Sequence, residues 1–133
     1  MNHLLNKILG GSTIKPTPEA LECLSLHFKK AKSVEWHKVD NGYEAIFYIK
    51  KQEHICHISQ DGIFLENRIN LNPYNLPEAI KTPAKEHGEL MNVISIHKPN
   101  KETEYELIVR NNALERFTIV FMADGSLVKK AKL

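Results

Sequence analysis

The stretch His-Ile-Cys-His at positions 54–57 holds the residue types most able to do chemistry. Imidazoles and a thiol at this spacing suit either a metal site or a reactive cysteine. The stretch falls in a predicted strand over about 53–59, where successive side chains point to opposite faces. His54 and Cys56 then share one face, while His57 lies on the other. Because the two histidines diverge, the sequence predicts no metal site here.

Cys56 also has the wrong surroundings for a catalytic nucleophile. A reactive thiol needs an accessible setting that favours the thiolate, with a base in reach. The second half of the chain has Ile119 at the position matching Cys56, which predicts a core location. No Gly-rich phosphate loop, Ser/His/Asp signature or paired acid motif is present. We therefore expect neither an enzyme nor a bound cofactor.

Composition places the chain among globular proteins. Its 133 residues are 42% apolar and 26% charged, enough for one domain with a substantial core. A formal net charge of +2 is too small to predict nucleic-acid binding. No apolar run reaches the length of a membrane span. Two cysteines, Cys23 and Cys56, lack any CxxC pattern and favour buried thiols over a disulfide.

Residues 1–16 form a predicted N-terminal extension. Leu4, Leu5, Ile8 and Leu9 fall at helical spacing, which predicts a short amphipathic helix. Lys7 interrupts the apolar run and no convincing cleavage site follows, so no signal peptide is predicted. The cellular location is left open on this basis.

The rest of the chain, residues 17–133, contains a tandem sequence repeat. Four short matches recur in the same order, with an offset that drifts from 59 to 63 residues. They are Pro18-Glu19-Ala20 with Pro77-Glu78-Ala79, His37-Lys38 with His97-Lys98, Tyr43-Glu44 with Tyr105-Glu106, and Asp61-Gly62 with Asp124-Gly125. The order and the small drift indicate one domain made of two repeats, 17–70 and 77–133.

Each repeat predicts a helix followed by four antiparallel strands. Thr17 is a good N-cap before Pro18, and period-two alternation begins after the helix. In the second repeat, Pro83 predicts a kink or an early stop of the helix. The predicted fold class is therefore α+β, with two tandem αββββ repeats forming one curved antiparallel sheet of about eight strands and the helices on one face.

Several short motifs resemble those of PepSY-like proteins, whose fold is similar to that of the β-lactamase inhibitor protein. They read A-K-x-V-x-W and G-Y-x-A-x-F in the first repeat, D-G-x-x-L at its end, and L-P-E-A-I and F-x-x-D-G in the second. The resemblance covers about 17–133. Trp36 is replaced by Ile96 in the second copy, and Pro83 departs from the pattern.

The resemblance implies a concave sheet that grips a protein partner, as the inhibitor grips an enzyme. It also implies a link to peptidase inhibition, and resembling proteins are often periplasmic or secreted.

Alternation along the predicted strands identifies the sheet face that no helix covers, which we call the open face. It mixes charged groups with large apolar ones, which is typical of a binding surface. Its candidate partner-binding residues are His37, Ile46, Tyr48, His57, His97, Glu106, Ile108, Arg110 and Val120.

The sequence thus predicts a non-catalytic module that binds an unknown protein or peptide through its open face. Inhibition of that partner is the more specific form of this hypothesis. A small-ligand carrier with a cavity between helix and sheet is one alternative. A structural homodimer formed through the same face is the other.

Overall fold

A computed structural model describes residues 14–133. Its helices are α1 (Pro18–His27) and α2 (Glu78–Lys85), with a single 3-10 turn at Pro73–Asn75. Its strands are β1 (Lys32–Val39), β2 (Gly42–Ile49), β3 (Gln52–Ile58), β4 (Phe64–Asn70), β5 (Glu89–His97), β6 (Glu104–Arg110), β7 (Arg116–Met122) and β8 (Leu127–Lys132). The N-terminal helix expected around Leu4–Leu9 lies outside the described residues.

The eight strands form one antiparallel sheet in the order β1 to β8. The predicted α+β class, with each helix followed by four strands, is confirmed. The chain divides into two compact units, the first ending at Asn67 and the second running from Arg68 to Leu133. Each unit has its own hydrophobic cluster. Within the described residues, no helix is long and apolar enough to cross a membrane.

The first unit is organised around α1. The Thr17 hydroxyl caps the helix by accepting from the amide of Ala20 at 3.2 Å, and it donates to the carbonyl of Gln60 at 2.8 Å. Cys23 on the helix packs in one cluster with Phe47 and Cys56 on the sheet. Cys56 is completely buried, so its predicted core location is confirmed.

The second unit repeats this plan with a shorter helix. Ile80 and Ala84 of α2 pack with Leu107 and Phe121 of the sheet. Pro83 lies inside the helix, which continues through it to Lys85 and has eight residues against the ten of α1, so the second helix is shorter but does not stop at the proline. Because proline has no amide hydrogen, the helix lacks the bond that residue 83 would donate to the carbonyl of Ala79.

The repeated Asp-Gly pairs close a tight turn against each helix. Gly62 has φ +82°, and a β-carbon there would lie 2.6 Å from the carbonyl oxygen of Glu19 in α1. Gly125 has φ +93° and makes the same kind of approach to Ala79 in α2. Only glycine combines a left-handed backbone with so close a contact. The Asp-Gly motif therefore recurs in the second unit because the same close packing of the turn against the helix recurs there.

One predicted equivalence between the repeats is wrong. The sequence pairs His37 with His97, but the register puts His37 opposite Glu44 and Ile94 opposite the matching Glu106. His37 therefore corresponds to Ile94. By the same register, the counterpart of Trp36 is Val93. The two-residue match His-Lys was coincidental, because strand register is set by core side chains and turns rather than by exposed identities.

Candidate functional site: the open face of the sheet

The first unit carries an imidazole–carboxylate row on its open face. In the register, His37, Glu44 and His57 lie side by side on β1, β2 and β3. The His57 Nε2 lies 3.0 Å from Glu44 Oε2, and its Nδ1 lies 3.6 Å from Glu66 Oε2 on β4. His57 therefore has a carboxylate at each ring nitrogen. A protonated imidazole there would donate to Glu44 and would be attracted to the Glu66 carboxylate at longer range.

The row continues to β1 through a second pair. The Nε2 of His37 lies 3.3 Å from Glu35 Oε2, and the side chains are only 13% and 15% exposed. Among the described residues, no group of three or more His, Cys, Asp or Glu side chains has the geometry to hold a metal ion. The row is an extended polar network rather than a convergent ligand set.

An acidic cleft of about 450 Å³ opens at one end of this row. We define the acidic cleft by Val39, Asp40, Asn41, Tyr43, Glu44, His57, Ile58, Leu65 and Glu66. Its lining carries three carboxylates against a single histidine. With His57 neutral, the lining has a formal charge of −3, and with His57 protonated the charge is −2.

The open face next to the cleft is less apolar than predicted. Ile46 lies between Glu35 and Ile55 in the register, on the side away from the hydrophobic cluster, but it is only 1% exposed. It therefore does not offer an exposed anchor. The hydroxyl of Tyr48 donates to Glu53 at 3.4 Å. Burial, followed by the charge of Glu53, raises the pKa of Tyr48, so the phenol stays a neutral donor.

The second unit places four predicted residues on its open face. Glu106 lies opposite Val120, and its carboxylate is 3.7 Å from the Arg68 guanidinium. Arg110 donates to Glu89 at 2.8 Å. Ile108 is half-buried beside Thr118, and Val120 is only 5% exposed. Apolar area available to a partner is therefore limited, and paired charges dominate this part of the face.

His97 is not on the open face, which corrects the sequence-based assignment. It shares the helix-facing side of β5 with Ser95 and Val93, of which Val93 belongs to the core. Its Nε2 lies 2.9 Å from the Ser95 hydroxyl, and its Nδ1 lies 3.2 Å from Thr103 Oγ1. Burial lowers the pKa of His97, since desolvation penalises the charged ring. The error has the same origin as the false match with His37.

The two thiols lie in the core and are not activated. Both Cys23 and Cys56 are buried and free. Burial raises the pKa of Cys56, and the pKa of Cys23 is raised for the same reason. Such thiols stay protonated at neutral pH and are weak nucleophiles. His54, in turn, is stacked on Phe47 with ring centroids 5.1 Å apart, and its Nδ1 lies 3.1 Å from the Asn67 amide nitrogen.

Sequence reasoning missed Asp40 and Glu66 as part of the cleft. Asp40 follows β1 and belongs to a turn. Glu66 reaches His57 only because β3 and β4 are neighbours in the sheet. Alternation along β4 was the available signal for Glu66.

No protein-family profile matches the chain, and no curated protein is similar in sequence. Solved structures do match. A BLIP-like protein from Bacteroides fragilis has a TM-score of 0.82 at 20% identity, covering 96% of this chain and 92% of the other. A DUF2874 family protein from Bacteroides uniformis has a TM-score of 0.82 at 16% identity, covering 89% and 90%. A candidate periplasmic protein from Bacteroides eggerthii has a TM-score of 0.81 at 15% identity, covering 90% of each chain.

These similarities show that the fold is BLIP-like. The identities are too low to transfer an activity, because one fold hosts many functions.

Proposed function

We propose that the protein is a non-catalytic module that binds a protein or peptide partner through the open face, and that a basic side chain of the partner enters the acidic cleft. The observation that carries the proposal is the set of three carboxylates, Asp40, Glu44 and Glu66, around one histidine in a cleft of about 450 Å³. A lysine or arginine of the partner would complement that charge.

Two further observations support the binding role. A BLIP-like neighbour of the same fold suggests a protein-binding surface, and the PepSY-like sequence motifs suggest the same face. An inhibitory action on the partner is the most specific form of this proposal. The raised pKa values of Cys23 and Cys56 disfavour the thiols as nucleophiles of an alternative enzyme.

Charge neutralisation in the cleft tests the proposal. The double variant Glu44→Gln/Glu66→Gln removes two carboxylates and keeps the side-chain shape. The matched control Glu19→Gln/Glu22→Gln makes the same charge change on the exposed side of α1. Both variants and the parent protein are used to capture partners from periplasmic and cytosolic fractions of the native host, with quantitative mass spectrometry as the readout.

The parent protein and the control are expected to enrich the same partner, and the cleft variant to lose it. Association should also slow as salt is raised, because the long-range attraction between the cleft and a basic partner is screened over about 10 Å at 0.1 M salt. Equal enrichment by the cleft variant would refute the proposed site. A concentration-dependent mass in light scattering that the cleft variant abolishes would instead favour the homodimer.

A further inference from the structure

The second unit contains an apolar groove that the function proposed above does not use. It lies between the 3-10 turn, α2 and the start of β5, with a volume of about 450 Å³. That volume falls within the range of small-molecule sites, about 300–1,000 Å³. We define the groove by Pro73, Tyr74, Leu76, Lys81, Ala84, Lys85, Gly88, Glu89 and Leu90.

The floor and walls of the groove are apolar and held in place. Leu76 and Ala84 belong to the hydrophobic cluster of the unit, and each is only 4% exposed. The 3-10 turn is fixed because the Asn72 side chain accepts from the amide of Tyr74 at 3.0 Å. Gly88 has φ +141°, and a β-carbon there would lie 2.4 Å from the Arg110 carbonyl oxygen. The site is therefore preformed in shape.

Tyr74 gives the groove an aromatic lip. It is 86% exposed, the highest value among the exposed large hydrophobic side chains of the described residues. Because the Tyr74 ring is exposed to solvent beside the apolar floor, it can pack on a bound ligand without breaking contacts to the rest of the protein.

The charge at the rim is positive. Within residues 14–133 the Lys85 ammonium makes no hydrogen bond and no ion pair shorter than 4.0 Å, although its charge helps to lower the pKa of the Glu78 carboxyl. Lys81 pairs at 2.9 Å with Glu78, whose side chain is 88% exposed, and pairs of that kind are weak. Glu89, the one carboxylate of the groove, pairs with Arg110 at 2.8 Å, an exposed contact of the same kind as that of Lys81 with Glu78. These two pairs balance their own charges, so the excess positive charge at the rim is that of Lys85, with Lys81 as a second ammonium beside it.

We propose that this groove binds a small amphiphilic carboxylate of the medium-chain fatty-acid type. The aliphatic chain lies on Leu76, Ala84 and Leu90 beneath the Tyr74 ring, and the carboxylate meets Lys85 and Lys81 at the rim. Apolar burial supplies the attraction, and the lysines select for negative charge. The binding site is independent of the acidic cleft.

Decanoate is the probe, and two-dimensional amide NMR of the full chain is the readout. Saturable shifts are expected at residues of the groove. The cation decyltrimethylammonium, with the same chain length, should bind at least about ten-fold more weakly, since two ammonium groups would repel it.

The variant Lys85→Gln should weaken decanoate binding about five-fold, the value of one exposed charge contact. Lys101→Gln, at an exposed position outside the groove, is the matched control and should leave binding unchanged. Tyr74→Ala should weaken both ligands alike.

Absence of saturable shifts with decanoate would overturn the proposal. So would shifts centred elsewhere in the chain, equal affinity for the cationic probe, or an unchanged affinity in Lys85→Gln. Because Lys85 and Tyr74 are exposed, these variants are expected to fold, and a parental far-UV spectrum confirms this before titration.

Discussion

Replacing Gly62 by alanine is expected to destabilise the first unit through two separate effects. The new β-carbon would lie 2.6 Å from the Glu19 carbonyl oxygen and 2.9 Å from its carbonyl carbon. Both atoms belong to the backbone of the first turn of α1, which the Thr17 cap and its bond to Gln60 hold against the turn. The contact therefore cannot be relieved by a side-chain rotation.

The size of the effect follows from the geometry. A left-handed backbone with a β-carbon costs about 1–2 kcal/mol. Forcing extra volume into packed structure costs about 1–3 kcal/mol. The smaller entropy of the unfolded alanine chain offsets about 0.4–1 kcal/mol of this. We expect the free energy of unfolding to fall by about 1–4.5 kcal/mol, a large part of the roughly 5–15 kcal/mol typical of a domain.

Urea unfolding followed by tryptophan fluorescence measures this loss. Trp36 is the only tryptophan of the chain and packs edge-on against Tyr43 in the first unit, so it reports on that unit. The midpoint should drop by roughly 0.5–2 M urea at a slope of about 2 kcal/mol/M, which is usual for small proteins. Gln60→Ala, at an exposed position in the same turn, is the control and should change stability by less than about 0.5 kcal/mol.

The variant Gly62→Asn separates the two effects. Asparagine tolerates the left-handed region better than alanine does but brings the same β-carbon. If the contact with Glu19 dominates, Gly62→Asn should be nearly as destabilised as Gly62→Ala. A Gly62→Ala protein as stable as the Gln60→Ala control would refute the packing argument for the repeated Asp-Gly motif.

Two further predictions concern a turn and a titration. The hairpin loop Lys50-Lys51 has φ +50° and +67°, so Lys50→Asn/Lys51→Gly should raise the free energy of unfolding by about 1 kcal/mol, and an unchanged urea midpoint would count against this. Burial holds the pKa of His97 below its unfolded value near 6.5, so the unfolded chain binds more protons and stability should fall as pH drops through that value. In His97→Gln the free energy of unfolding, measured by urea titration, should therefore depend less steeply on pH between pH 7 and 5 than in the parent protein. The same pH dependence in both proteins would contradict the lowered pKa of His97.

Much of the fold could be predicted because it depends on local pattern. The Thr17 cap, the alternation in β2 and the Asp-Gly turns each act through neighbouring residues, and the structure has the predicted elements. The core location of Cys56 was predictable from its match with Ile119, since both sit at the same register position of their units.

The candidate site was predicted less well because it depends on register and burial. The predicted face of His97 is wrong because Ile94, three residues earlier in β5, is the true counterpart of His37. A match of two residues, His-Lys, cannot reveal a shift of that size. Ile46 was assigned to the correct face, but its burial depends on surroundings beyond its own strand. The apolar groove could not be predicted, because it is formed where a 3-10 turn, a helix and a strand meet. The spacing of apolar residues indicates single helices and strands but not the space between them.

The order of the strands has a consequence for how the chain is made. Every strand is bonded to a strand adjacent to it in sequence, so no distant segment is needed before the first pairs form. The first unit ends at Asn67, which leaves residues 68–133 still to be synthesised. At about 5–20 residues per second, this takes roughly 3–13 s. The cluster around Phe47 can thus assemble on the ribosome while the second copy of the pattern is still being translated.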